Sequence, residues 1–170
     1  MIVFLDFDGV LNGLETREPP SPIHARLFLN PEKVALVNDL CERAVARVVL
    51  STSWRTRRHV VGAPDARLSL DELREALRLA GATFRVADVT PDLAREDSIT
   101  RDGETVPIWR CPPRRKEIAA WIEQHRPSAF VVLDDDHDAG IDGRFVHVNR
   151  RRGLTSADVE QALKILRGEP

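Results

Sequence analysis

Acidic residues stand at two places where this chain stops being apolar. Asp6 and Asp8 flank Phe7 and lead into Gly9, directly after the apolar run 1–5. Asp134, Asp135 and Asp136 follow the run "FVVL". Ser51, Thr52 and Ser53 follow a third run, "RVVL", and Arg114, Arg115 and Lys116 open the stretch that precedes the second acid group. Carboxylates, a hydroxyl and a cation at one site suit phosphoryl chemistry. A phosphomonoester is a dianion, so a carboxylate approaches it only where positive charge offsets the repulsion. Asp6 and Asp134 together can hold Mg²⁺, which prefers hard oxygen ligands and keeps several waters. The metal and a lysine then neutralise the phosphoryl oxygens. The Thr52 hydroxyl and free backbone N–H groups can hold a further oxygen. Asp6 is left to attack phosphorus and form an aspartyl-phosphate. Asp8 lies two residues on and shares the face of Asp6 where strand geometry persists. It can protonate the leaving oxygen and then deprotonate the hydrolytic water. Gly9 permits a tight turn and a close backbone approach.

These groups need elements that bring them to one edge. Residues 1–5 read as a buried strand, and 13–29 as a proline-rich loop. Asn30 caps a helix with Pro31 at its first position. Residues 47–52 are a second buried strand. A Ser69-x-x-Glu72 capping box opens a helix that ends on Gly81. A third strand follows at 83–89. Residues 90–113 are polar and irregular, with Asp102-Gly103 as a hairpin turn. A helix over 114–125 is stopped by Pro127. Strands at 129–136 and 144–148 and a capped helix over 155–168 complete the chain. Strands alternate with helices, and the strands are continuous apolar runs. That pattern predicts an α/β fold: one doubly wound, mostly parallel sheet with helices on both faces. Ligands of such sheets bind beyond the carboxyl ends of the strands, where the groups above converge.

Composition fits one domain over 1–170: 170 residues, 42% apolar, 31% charged. A formal net charge of −2 argues against wholesale coating of nucleic acid. Cys41 and Cys111 are too few and too far apart for a disulfide framework, and Cys41 reads as a core residue. The acid at position 6 breaks the first apolar run, so no signal peptide is expected, and no window spans a membrane. The expectation is a soluble cytoplasmic protein.

"FLDFDGVLN", "VVLSTSW", "RRKEI" and "FVVLDDD" resemble the four motifs of the haloacid dehalogenase (HAD) superfamily, over nearly the whole chain. Asp6 matches that family's nucleophile, Asp8 its acid/base and Thr52 its phosphate-binding hydroxyl, with Ser51 and Ser53 as neighbours. Lys116 matches the basic residue of the third motif and Asp134-Asp135 the acids of the fourth. The implied metal set is Asp6, Asp8, Asp134 and Asp135, holding Mg²⁺. Gly9, Thr52, Ser53, Arg55 and Arg114 are the expected phosphate and substrate contacts. The ending "FVHVNRRRGLTSADVEQALKIL" resembles HAD domains of bacterial and phage RNA-repair proteins. In that subgroup an arginine stands three before the Glu-Ile pair, so Arg114 competes with Lys116 for the third-motif role. Asp8 implies a phosphatase or phosphotransferase rather than a dehalogenase.

Specificity in that superfamily resides in cap insertions, and here only 90–113 remains as a modest flap. A site with so little cap is open to large substrates. Arg55, Arg57 and Arg58, then Arg110, Arg114 and Arg115, then Arg150, Arg151 and Arg152 cluster near the expected mouth. The bland reading of such runs is a solvated basic face. The sharper one is a substrate with more charge than one phosphate, a nucleotide or a nucleic-acid end. Alternatives are a sugar phosphate, transfer to an acceptor other than water, and a non-catalytic module that grips a phosphorylated end; the last has no need of Asp8. Trp54 either stacks on a base or packs against the strand edge. Trp121 reads as core. The histidines lack ligand spacing, and His147 falls in the last strand.

Overall fold

The computed structural model describes residues 1–15, 21–23, 27–55, 68–101 and 104–169. Its elements in chain order are β1 (Ile2–Leu5), α1 (Pro31–Ala44), β2 (Arg47–Leu50), α2 (Leu70–Leu79), β3 (Val86–Val89), β4 (Arg95–Arg101), β5 (Glu104–Arg110), α3 (Arg114–His125), β6 (Phe130–Asp134), β7 (Phe145–His147) and α4 (Ser156–Arg167). Five strands form one sheet in the order β3-β2-β1-β6-β7, and every pair in it is parallel. The central strands are buried throughout because helices cover both faces, which is why their sequences are apolar without alternation.

Successive residues of β1 still divide between the two faces. Val3 and Leu5 pack with Val34, Val37 and Leu40 of α1, Leu73 and Leu77 of α2, and Val159 and Leu163 of α4. Ile2 and Phe4 pack with Ile118 and Trp121 of α3. The Phe4 ring meets Trp121 edge-on at 5.4 Å between centroids. Each such side chain contributes about 1.5–3 kcal/mol on burial, so this short strand anchors both halves of the core. Cys41 belongs to the larger half, and burial pushes its thiol up to about 12.

The helix starts follow local chemistry. Asn30 accepts the Glu32 N–H at 2.8 Å. Ser69 and Glu72 form a reciprocal capping box, and Thr155 with Asp158 forms another at α4. α3 differs: Pro113 precedes it, and among the described residues no side chain caps it. Its first-turn amides therefore face the carboxyl edge of the sheet without a side-chain partner of that kind.

Residues 90–113 are more regular than their sequence suggests. β4 and β5 form an antiparallel ribbon, with Arg95 opposite Arg110 and Arg101 opposite Glu104. Most described side chains of β4 are exposed, so no buried face imposed the alternation that marks a strand. The Asp102-Gly103 turn lies outside the described residues, as do Arg57, Arg58 and parts of the 13–29 loop. Among the described residues, no helix is long and apolar enough to cross a membrane.

Candidate active site

β1 has β2 on one side and β6 on the other, and the chain winds away from it in both directions. Strand order reverses there, so a crevice opens at the carboxyl end between β1 and β6. The register brings the ends level: Leu5 pairs with Leu50 and with Leu133, and the next residues are Asp6, Ser51 and Asp134.

Asp6 and Asp134 are both buried, and each divides its oxygens in the same way. Asp6 Oδ1 accepts the Phe7 N–H at 2.7 Å, and Asp134 Oδ1 accepts the Asp136 N–H at 2.9 Å. Their Oδ2 atoms share one guanidinium nitrogen, Arg114 Nη1, at 2.6 and 3.0 Å. Carboxylate oxygens of Asp6, Asp134 and Asp135 come within 4.8 Å of one another. Gly9 makes this crowding feasible. Its φ is +76°, and a Cβ there would lie 2.4 Å from Asp135 Cγ.

The electrostatics follow from burial with too few cations. Desolvation raises the Asp6 pKa, against the pull of Arg114. Desolvation and then the neighbouring Asp6 charge raise Asp134 well above the ordinary carboxylate range. Asp135, half-buried, is raised by the same two causes. Burial works against the Arg114 charge, but Asp6 and Asp134 outweigh it and hold the guanidinium protonated.

Asp8 stands apart from this group. Its Oδ2 accepts the Trp54 indole N–H at 2.9 Å, and its Oδ1 accepts from Asn12 Nδ2 at 3.1 Å. Asn12 Oδ1 in turn accepts the Gly9 N–H at 2.8 Å. Asp8 is therefore held by two donors on its flanks. The metal set expected from sequence included Asp8, but the acids that converge among the described residues are Asp6, Asp134 and Asp135.

Other expectations are met differently. The place beside the acids belongs to Arg114, not Lys116. Two residues turn an α-helix by about 200°, so the two side chains leave α3 in opposed directions, and Lys116 is exposed. Arg55, expected at the substrate, is enclosed. Its guanidinium donates to Thr52 O at 2.6 Å, Thr90 O at 2.7 Å and Glu117 Oε2 at 2.7 Å. Thr52 is fully buried at the end of β2, its hydroxyl 3.5 Å from the Trp54 N–H, and Ser53 begins a 3₁₀ turn over Ser53–Arg55. Of the basic runs, Arg150 reaches Asp135 at 3.5 Å, Arg151 pairs with Glu15 and Arg110 with Asp97. Asn12 and the bond from Trp54 to Asp8 went unread in the sequence; an asparagine four residues past an acid that must be held is the available signal.

A parallel sheet with an acid pair just past its central strand, at the point of reversal, defines an α/β domain of the HAD-like Rossmannoid class. The family is narrower than the class. Residues 2–159 match the family described as "HAD domain in Swiss Army Knife RNA repair proteins", and the chain belongs to it. No curated protein and no solved structure matches the chain.

Proposed function

We propose that this domain is a cytoplasmic Mg²⁺-dependent phosphomonoester phosphatase that works through an aspartyl-phosphate on Asp6 and acts on a nucleotide or nucleic-acid terminal phosphate. One observation carries the reading: two buried carboxylates on adjacent strands share a single guanidinium, while Asp8, two residues past Asp6, is held by the neutral donors Trp54 and Asn12.

The donor set fits a hard divalent cation. Three carboxylates converge, all offer oxygen, and burial followed by the crowding of like charge raises their pKa values even with Arg114 and Arg150 beside them. Asp6, Asp134 and Asp135 would hold the ion, which when bound supplies positive charge for the phosphoryl oxygens. The remaining steps belong to the chain. Arg114 orients Asp6 and adds charge next to it. Asp6 Oδ attacks phosphorus, and the bond from phosphorus to the leaving oxygen breaks. Asp8 gives its proton to that oxygen. A water then attacks phosphorus as Asp8 takes its proton, the bond to Asp6 breaks, and phosphate leaves. The β4–β5 ribbon is the proposed flap, because the segment leading into it is tied to the core by the Leu93 N–H on Glu117 Oε1 at 3.2 Å. The family's description, which places such domains in RNA repair proteins, supports a nucleic-acid end over a sugar phosphate.

The test is phosphate release from 3′- and 5′-phosphorylated oligonucleotides, nucleotides and sugar phosphates, with Mg²⁺ and with a chelator. Turnover that needs Mg²⁺ and favours nucleotide substrates is expected. Turnover unaffected by chelation overturns the metal assignment. In Asp134→Asn, half-saturating Mg²⁺ rises, and an unchanged value removes Asp134 as a ligand.

A further inference from the structure

Immediately past Arg114, α3 and the segment joining β6 to β7 border an open groove of ≈ 830 Å³. That volume is in the range of ordinary small-molecule sites. Arg115 and Lys116 line one side. Both are exposed, and neither has an ion-pair partner among the described residues. His137 and Phe145 line the other side, with ring centroids 6.4 Å apart. The His137 ring is backed by His147 at 3.8 Å, and His147 Nε2 lies 2.9 Å from the Asp135 carbonyl oxygen. A Cβ on Gly140 would sit 3.1 Å from the His137 carbonyl oxygen and 3.2 Å from the Phe145 ring, so the glycine leaves room at this floor. Asp142 is the one carboxylate among the lining residues, which puts the positive potential on the α3 side.

We propose that this groove is a nucleotide-binding subsite, in which a base rests on the His137 ring, with Phe145 inclined to it at 64° as a side wall, and a phosphodiester lies on Arg115 and Lys116. The proposal rests on the reading of Asp6 as the phosphatase nucleophile. Aromatic rings opposite cations that have no ion-pair partner among the described residues match a nucleotide unit, which carries a π-face and a charge. A sugar phosphate has the charge without the face. The groove also lies at the right distance. Arg115 adjoins Arg114 in sequence. His137 is three residues past Asp134, at most roughly 11 Å between Cα atoms. In the proposal, a chain end whose terminal phosphate sits at Asp6 passes Arg115 and sets its next nucleotide in this groove.

The experiment compares kcat/KM for a short terminally phosphorylated oligonucleotide with that for an aryl phosphate, using the full chain with Mg²⁺. Arg115→Ala and His137→Ala should each lower that ratio by about tenfold, through KM for the oligonucleotide. An abasic unit next to the terminal nucleotide should cost the wild type as much as His137→Ala does, and cost His137→Ala nothing more. Phe145 is avoided because it packs against the core. Fluorescence anisotropy of a labelled oligonucleotide on Asp6→Asn protein, with and without the same substitutions, reads the groove without turnover. A failure of the phosphatase reading therefore leaves the groove tested on its own. Equal loss with a mononucleotide assigns the subsite to free nucleotides, and loss with the oligonucleotide alone assigns it to chain ends. A ratio and a binding constant unmoved by both substitutions overturn the proposal.

Discussion

Arg55 and Arg114 both meet buried carboxylates at the carboxyl edge of the sheet, and their surroundings differ in one respect. Arg55 meets the Glu117 carboxylate and the backbone carbonyls of Thr52, Thr90 and Pro91. The other Glu117 oxygen accepts the Leu93 N–H. The Glu117 carboxylate offsets the Arg55 charge, and the cluster fastens the end of β2, the end of β3 and the start of the ribbon segment to α3. Arg114 faces Asp6 and Asp134 at once, with Asp135 close behind. Charge there does not balance. A buried pair that is complete acts as a clasp, whereas an incomplete one costs stability and is retained where its excess charge does chemistry.

The largest effect comes from breaking the unbalanced side. Asp6→Asn is nearly isosteric but removes the nucleophile, so turnover should fall by at least about 10³-fold, or 4 kcal/mol in barrier. A preparation free of other phosphatases that keeps wild-type rates sinks the mechanism. Stability should move the other way. Asp6, Asp134 and Asp135 have folded pKa values above the ordinary 3.8, so the folded protein holds protons that the unfolded chain gives up. Their contribution is fully present below the unfolded value and is lost as pH rises through the raised one. Chelated Asp6→Asn should therefore unfold at a higher temperature than chelated wild type at neutral pH. The gap should close as pH falls toward 4, which thermal unfolding across pH measures.

On the balanced side, Glu117→Gln removes only charge. Arg55 then loses the buried Glu117 carboxylate, which costs roughly 3 kcal/mol in a denaturant titration, the low end because the amide keeps an acceptor for Leu93. The turnover of the folded fraction should lose far less than in Asp6→Asn. A stable Glu117→Gln without activity would mean that the clasp, through Thr52, belongs to the site after all.

Trp54→Phe probes a link between the two regions, since Trp54 lies between Thr52 and Arg55 yet donates to Asp8. A smaller aromatic ring stays in the core position and the indole N–H bond to Asp8 goes. A loss of about tenfold in kcat with little change in KM is expected, in line with one such bond. A change in KM alone would assign Trp54 to substrate contact instead.

The comparison also explains what could be read from the chain. Asp6 and Asp134 were legible because each directly ends an apolar run, which fixes a place in a parallel sheet, and Asp8 because it follows two residues on, ahead of Gly9. Arg114 against Lys116 was not decidable, because it depends on the phase of α3 at its first turn. Arg55 misled because its partner is 62 positions away, and Trp54 finds Asp8 across 46. Contacts at that range follow from the fold and leave no local pattern. The ribbon was missed for a related reason: exposed strands need no alternation.

The smallest effect is expected inside the clasp itself. Thr90 gives its carbonyl to Arg55 Nε, while its own Oγ1 is buried without a hydrogen-bond partner among the described residues. A buried hydroxyl that bonds to nothing has lost its water and gained no replacement. Thr90→Val keeps the branched shape and the carbonyl and removes only that oxygen. The change should be neutral or stabilising, by no more than about 1 kcal/mol, because no partner is left behind when the hydroxyl goes. Denaturant unfolding at constant m-value measures it. A loss of more than that means that the hydroxyl has a partner, and then the clasp is a larger polar network than Arg55 and Glu117 with their carbonyls. A gain in stability with kcat unchanged keeps Thr90 on the structural side of the divide, where its carbonyl, and not its side chain, serves the fold.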